Sequence, residues 1–352
     1  MKLSIGIVGL PNVGKSTLFK ILTKQEVNIA NYPFATIDPN VGVVSVPDER
    51  LEKLAKLSAS KKIVPAVVEF YDIAGLVKNE HKGEGLGNQF LSHIREVDAI
   101  VEVVRCFKSS EIIHVEQGVD PIRDIDTINM ELIMKDLDIV EKRLAKLEGE
   151  ARTGDKNKIK DLEIAEKLKE GLNNGKLVSE ILRESTSDLR EAALLKELNL
   201  LTDKPQIYLF NGSEEDINND LIDKTKQLGA DYIIVDLALL DNVDVLVKKA
   251  YQVLGLISFL TTGEDETRAW TIKKGAKAPE AAGTIHTDFE KKFIRAETIN
   301  WEKLLAASGE ASLAPKGRDA GSWNAAKQKG FIRTEGKDYE VQDGDVVVIR
   351  HG

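Results

Sequence analysis

Short, almost wholly apolar runs alternate along the chain with longer stretches in which apolar residues recur every three or four positions. Leu3–Val8, broken by Ser4 alone, is followed by Val41–Val46, Val67–Tyr71, Ala99–Val104, Pro205–Phe210 and Tyr232–Leu237, each of strand length. Continuous apolar runs of this kind are what strands buried on both faces require. Leu18–Leu22 and Asn88–Glu96 read as helices between them, so strand and helix alternate as in a doubly wound, mostly parallel α/β sheet. From Pro121 the period changes. Met130, Ile133, Leu137, Val140, Leu144 and Leu147 follow a coiled-coil spacing, and Leu162, Ala165, Leu168 and Leu172 begin a return helix after the break Thr153-Gly154-Asp155. This pattern predicts an antiparallel helical hairpin projecting from the sheet domain. A third region is expected beyond Thr261-Thr262-Gly263, with Ala269–Ile272 as its first strand and Val346–Ile349, entered by the turn Asp343-Gly344-Asp345, as its last. The expected organisation is a sheet domain from residues 1–120 and 201–260, an inserted helical domain at 121–200 and a separate domain at 261–352.

The chemistry concentrates where strands end. Gly9-Leu10-Pro11-Asn12-Val13-Gly14-Lys15-Ser16-Thr17 links the first strand to the first helix, the context of a P-loop. Its glycines let the backbone wrap a phosphate chain, and its N–H groups together with the helix N-terminus supply positive potential. Asn12, Val13, Gly14, Lys15, Ser16 and Thr17 are therefore nucleotide-contacting positions, with Lys15 reaching the outer phosphates as a catalytic cation and Ser16 offering a hydroxyl to Mg2+. In the loop Asn31–Asn40, Thr36 is placed as the second hydroxyl on the magnesium. The strand Val67–Tyr71 runs into Asp72-Ile73-Ala74-Gly75, where Asp72 holds the metal through water and the Gly75 N–H meets the terminal phosphate. Leu76 follows, where Ras-like GTPases carry the glutamine that orients the attacking water, and a leucine has no group for that task. The glycine-spaced loop Lys78–Gly87 reads as a switch. His81 within it and His114 after Arg105-Cys106-Phe107 are the histidines nearest the expected ligand edge.

Base recognition is expected from Asn211-Gly212-Ser213-Glu214, at the end of the strand Pro205–Phe210. A GTPase carries NKxD at this place. Here Gly212 has no side chain to cover a base and Glu214 is one methylene longer than aspartate, so Asn211, Gly212 and Glu214 point to ATP, with GTP weaker. Asn12 has two readings: it contributes to a K+ site beside the phosphates, or it only hydrogen-bonds its own loop.

Composition narrows the picture. The 352 residues carry a net charge of -9, which argues against wholesale coating of nucleic acid but not against a local basic patch. The hairpin tip Ala151–Lys160 holds Arg152, Lys156, Lys158 and Lys160 against Asp155, and Lys273, Lys274, Lys277, Lys291, Lys292 and Arg295 cluster in the last region. Each group is either an RNA-facing surface or a solvated face. No apolar segment resembles a signal peptide and no run approaches the ~18 residues of a membrane span, so a soluble, cytoplasmic monomer with no membrane partner is expected. The single cysteine, Cys106, excludes an internal disulfide and reads as a buried structural thiol.

GLPNVGKSTLF, NYPFATIDPN, DIAGLVK, KGEGLGNQFL, RCF with IIH, the NxxE in place of NKxD, and the long segment from Arg268 to Glu297 together resemble the YchF branch of the Obg-related P-loop NTPases, the Obg-like ATPases. The resemblance spans essentially the whole chain. It implies ATP hydrolysis in preference to GTP, a helical domain inserted in the G domain, a C-terminal TGS-like β-grasp domain, association with the ribosome, its large subunit or structured RNA, and His114 as the group that positions water. The sequence departs from its relatives at Asn79-Glu80-His81 and at Val235–Ala238. Two other readings of the residues stay open: a conventional GTPase, and a ribosome-binding factor that holds nucleotide without hydrolysing it.

Overall fold

The computed structural model describes residues 4–24, 40–73, 93–109, 118–183, 189–308 and 319–352. The chain runs through β1 (Ser4–Val8), α1 (Lys15–Lys24), β2 (Val41–Ser45), α2 (Glu49–Ser58), a two-residue β3 (Ile63–Val64), β4 (Val67–Asp72) and β5 (Ala99–Arg105). A helical segment follows: α3 (Pro121–Ala151), α4 (Lys156–Asn173), α5 (Val178–Arg183) and α6 (Leu189–Leu198). The chain returns through β6 (Gln206–Asn211), α7 (Asn219–Leu228), β7 (Asp231–Val235) and α8 (Asp244–Val253). It closes with β8 (Leu256–Thr262), β9 (Thr267–Lys273), α9 (Ala278–Ile285), α10 (Thr287–Lys291), β10 (Phe293–Asn300), α11 (Trp301–Ser308), α12 (Asp319–Gln328), β11 (Arg333–Glu335) and β12 (Asp345–His351).

The first sheet has the order β2-β4-β1-β5-β6-β7, parallel except for β2, which pairs antiparallel with β4. This is the doubly wound sheet expected from the apolar runs. Every residue of β5 and β6 is buried, which is why those strands show no polar alternation. Because β4, β1, β5, β6 and β7 are parallel, all five end on one edge, and the loops that leave them share that edge. The order also reverses direction at β1, where a crevice opens in sheets of this type.

The helical insertion departs from a simple hairpin. α3 starts where Asp120 caps it, its side chain accepting from the Arg123 N–H at 3.2 Å with Pro121 in the first turn. Its first turns bury Ile125, Ile128 and Leu132 against the sheet, while Ile133, Val140 and Leu147 face the arm. Met130, expected in the seam, is 49% exposed. A straight helix has 3.6 residues per turn, so a stripe that begins on the sheet drifts off a 3.5 repeat before it reaches α4. α5 and α6 complete the arm, burying Val178, Ile181, Leu194 and Leu198 with Leu168 and Leu172 of α4.

The second sheet has the order β11-β10-β12-β8-β9-β3. The expected boundary at 261 falls inside β8, which pairs with β9 over Leu256–Thr262, so this sheet begins five residues earlier. The expected first strand Ala269–Ile272 is the centre of β9, and the expected last strand lies in β12. The stretch at Thr261-Thr262-Gly263 ends β8 and turns the chain into β9 of the same sheet, so it does not separate two domains. β3 comes from the sheet domain and pairs in parallel with β9, Ile63 opposite Thr267. Arg50 of α2 completes the junction, bonding Asp48 at 2.7 Å and Asp343 at 2.7 Å. Burial lowers its pKa, but these hydrogen bonds outweigh burial and hold it above the ordinary arginine value. Among the described residues no helix is long and apolar enough to cross a membrane.

One buried carboxyl joins the arm to the sheet. Asp136 of α3 is fully buried and accepts from the Leu201 N–H, the Thr202 N–H and the Thr202 hydroxyl, each at 2.8 Å. Burial outweighs the three bonds and raises its pKa above the ordinary range. Asp136→Ala would leave three donors without an acceptor, and a loss of about 3 kcal/mol in urea-measured stability is expected. A loss below about 0.5 kcal/mol would show that the junction does not depend on this carboxyl.

Candidate functional site

The P-loop is shaped by three residues with positive φ: Gly9 (141°), Asn12 (63°) and Gly14 (114°). A Cβ on Gly9 would lie 2.4 Å from the Val103 carbonyl oxygen, so only glycine lets the loop pass over β5. A Cβ on Gly14 would lie 2.6 Å from Asn211 Nδ2 and 2.9 Å from Leu237 Cδ1. Asparagine tolerates the left-handed conformation better than most residues, which accounts for Asn12 in the turn. Val13 points into the core, 1% exposed, and fastens the middle of the loop.

Lys15 opens α1. Its Nζ donates to the carbonyls of Gly9 at 2.9 Å and Leu10 at 2.6 Å, which uses two of three ammonium hydrogens and leaves one for a phosphate. Burial pulls its pKa down to about 8 against an upward pull from Asp72. Asp72 ends β4 beside β1, with Ile7 as its register partner. Ser16 and Thr17 are exposed in the first turn of α1. A hydroxyl and a carboxylate, both hard oxygen donors, thus flank one buried ammonium, a donor set that suits Mg2+ better than a softer metal.

Asn211 ends β6 and is 5% exposed. Its Nδ2 donates to the Val13 carbonyl at 2.8 Å and its Oδ1 accepts from the Leu237 N–H at 3.1 Å. Beyond it, Ser213 and Asp216 form a short 3-10 turn in which Asp216 Oδ2 accepts from the Ser213 N–H at 2.9 Å and the Ser213 hydroxyl at 2.8 Å. After β7, Asp236 Oδ1 accepts from the Ala238 N–H at 2.9 Å. These loops and the P-loop enclose a cleft of about 610 Å³ lined by Asn12, Gly14, Lys15, Ser16 and Thr17 at one end, and by Asn211, Gly212, Ser213, Asp216, Asp236, Leu237 and Ala238 at the other. Phe107, just past the end of β5, lines it between them, with the Arg105 guanidinium 4.5 Å from its ring centre.

Most of the expected site residues are brought together in this way. Val13 lies beneath the loop and contributes through its carbonyl. Glu214 is exposed and is not among the residues lining the cleft. Thr36, Gly75 and His114, with Leu76 and His81, lie outside the described residues. Ser213 lies in the expected base-side stretch, whereas Phe107, Asp216, Asp236, Leu237 and Ala238 were not expected as site residues. A Ser-x-x-Asp cap signal at 213–216 and the position of Phe107 after an apolar strand were the available clues. Cys106 is the buried thiol expected, its pKa pushed up to about 12 by burial, with Asp216 and Asp124 adding to the shift. At the arm tip Arg152, Lys156 and Lys160 are exposed, whereas Lys158 bonds Glu150 at 2.8 Å.

Comparison with known proteins agrees with this geometry. The family described as "50S ribosome-binding GTPase" matches residues 4–142, and the YchF-GTPase C-terminal family, described as a protein of unknown function, matches 256–352, starting at the first residue of β8. A Bacillus subtilis protein named ribosome-binding ATPase YchF is 47% identical over 380 aligned residues, covering 99% of both chains. The Haemophilus influenzae protein of the same name is 43% identical, again over 99% of both. The solved structure of the Schizosaccharomyces pombe YchF GTPase matches with a TM-score of 0.83 at 39% identity, covering 99% of this chain and 98% of that one.

The lowered pKa of Lys15 has a sign that can be checked. Its ammonium is intact below about 8 and lost above it, and a phosphate stabilises the charged form. Binding near that pH therefore takes up a proton, and nucleotide affinity is expected to fall about tenfold between pH 7 and pH 9. Calorimetry in buffers of different ionisation enthalpy measures both effects. A flat affinity with no proton uptake would show that Lys15 keeps an ordinary lysine pKa.

Proposed function

The chain belongs to the YchF family of P-loop NTPases, and from that premise we propose that it is an Mg2+-dependent ATPase that prefers ATP to GTP and associates with ribosomes in the cytoplasm. The observation that carries the reading is the single cleft in which Lys15 and Ser16 sit at one end and Gly212, where a guanine-binding loop has its lysine, at the other. Gly212 leaves one face of the base uncovered. A lysine introduced there would have to displace Asp216, because a Cβ at 212 already lies 3.1 Å from Asp216 Oδ2.

The P-loop N–H groups and the third hydrogen of Lys15 hold the outer phosphates and stabilise the charge that grows on them as the terminal bond breaks. The Ser16 and Thr36 hydroxyls, together with Asp72 acting through water, would hold Mg2+, which when bound neutralises phosphate charge. His114 orients the attacking water, as the family resemblance implies, since Leu76 has no group to do so. The left-handed turn at Asn12 supports a role for that asparagine in shaping the loop. The exposed arginine and lysines of the arm tip and the C-terminal lysines offer phosphate-binding surfaces suited to ribosomal RNA.

Single-turnover hydrolysis under excess protein, with ATP or GTP and with or without a chelator, tests this reading. ATP cleavage that needs Mg2+, at least about tenfold (1.4 kcal/mol) tighter binding of ATP than of GTP, and a loss of about 10²–10⁴ in rate for His114→Ala at unchanged ATP affinity are expected. Equal or tighter GTP binding would return the protein to the conventional GTPases. Tight binding without cleavage would make nucleotide a ligand only.

A further inference from the structure

We propose that base choice is set by the carboxylates of Asp236 and Asp216, which form an acceptor wall selective for a 6-aminopurine, and not by Glu214; this rests on the ATP preference inferred above. The strands β6 and β7 end side by side, Asn211 opposite Val235, and the loops that follow them close the end of the cleft away from Lys15. Adenine and guanine differ at C6, where adenine donates through an amino group and guanine accepts through a carbonyl. A guanine site must therefore offer a donor there.

Four main-chain donors at this end are already engaged. The Gly212 N–H bonds the Val235 carbonyl at 3.1 Å, the Ser213 N–H bonds Asp216, the Leu237 N–H bonds Asn211 Oδ1, and the Ala238 N–H bonds Asp236. The Ser213 hydroxyl also donates to Asp216. One Nδ2 hydrogen of Asn211 goes to Val13. Against these spent donors, the two carboxylates of Asp216 and Asp236 keep acceptor capacity at this end of the cleft.

Those bonds also limit how the carboxylates can act. Asp216 commits Oδ2 and Asp236 commits Oδ1, so each offers one uncommitted oxygen. Asp216 Oδ2 already accepts two bonds, so a two-oxygen grip on the N1 and N2 hydrogens of guanine, the task of the aspartate in NKxD, is closed to it, and at Asp236 the Ala238 N–H competes for Oδ1. A single oxygen matches the single exocyclic amine of adenine, and it repels a carbonyl oxygen at the same place.

Competition binding with ATP, GTP and ITP tests the assignment, because inosine keeps the C6 carbonyl of guanine without its 2-amino group. The parent is expected to reject ITP and GTP alike. Asp236→Asn keeps an oxygen to accept from the Ala238 N–H and turns an amide donor toward C6. It is expected to shrink the ATP-to-ITP preference about tenfold with an unchanged melting temperature, and Asp216→Asn, measured in parallel, should shrink it less. If the parent prefers ATP but neither variant moves the ratio by more than twofold, or if Glu214→Gln alone collapses it, the acceptor wall is wrong while the ATPase reading survives. If the parent binds ATP, GTP and ITP equally, the ATP preference itself fails and the proposal falls with it.

Discussion

The side chain of Asn211 is the constraint on which the site depends. It reaches across the end of β5 to bond the P-loop at Val13 and the loop after β7 at Leu237, while its own carbonyl accepts from the Cys106 N–H at 2.9 Å. One buried amide thereby ties the carboxyl ends of β1, β5, β6 and β7 together. Gly14 has to be glycine partly for this reason, since a methyl group there would occupy the place of the amide nitrogen. Among the described residues, one side chain therefore ties the P-loop end of the cleft to its far end.

Two extensions run from that sheet. α3 covers the sheet with its first turns and carries the arm with its later ones, so the arm cannot tilt without disturbing Ile128 and Leu132, which pack with Val8 beside the P-loop. The C-terminal sheet is held by β3, by the Arg50 bridge between Asp48 and Asp343, and by the contact of the Lys53 ammonium with the Trp301 ring at 5.3 Å. Both connections run through rigid elements rooted in the sheet whose edge forms the cleft.

Much of this was legible in the sequence because it is local. Apolar runs marked β1, β4, β5 and β6, and the glycine spacing from Gly9 to Lys15 marked the phosphate loop. What could not be read depended on where bonds go in space. Asp216 is as exposed as Glu214, but the Ser213 cap holds it at the wall of the cleft, which Glu214 does not line. The role of Asp236 follows from the donors it and its neighbours consume, and no spacing rule carries that information. The seam through Met130 failed because one helix serves two packing partners, and the boundary at 261 failed because the turn there joins two strands of one sheet.

Asn211→Asp tests the central claim most directly. The substitution keeps the size of the side chain and its acceptor for the Leu237 N–H, but sets a carboxylate oxygen against the Val13 carbonyl where an amide hydrogen now lies. If the amide joins the two ends of the site, calorimetry will show ATP and GTP affinities falling together by about 2–3 kcal/mol, with the far-ultraviolet circular dichroism of the folded chain retained. ATP binding within about twofold of the parent would contradict the account, because the P-loop would then hold its shape without the bond.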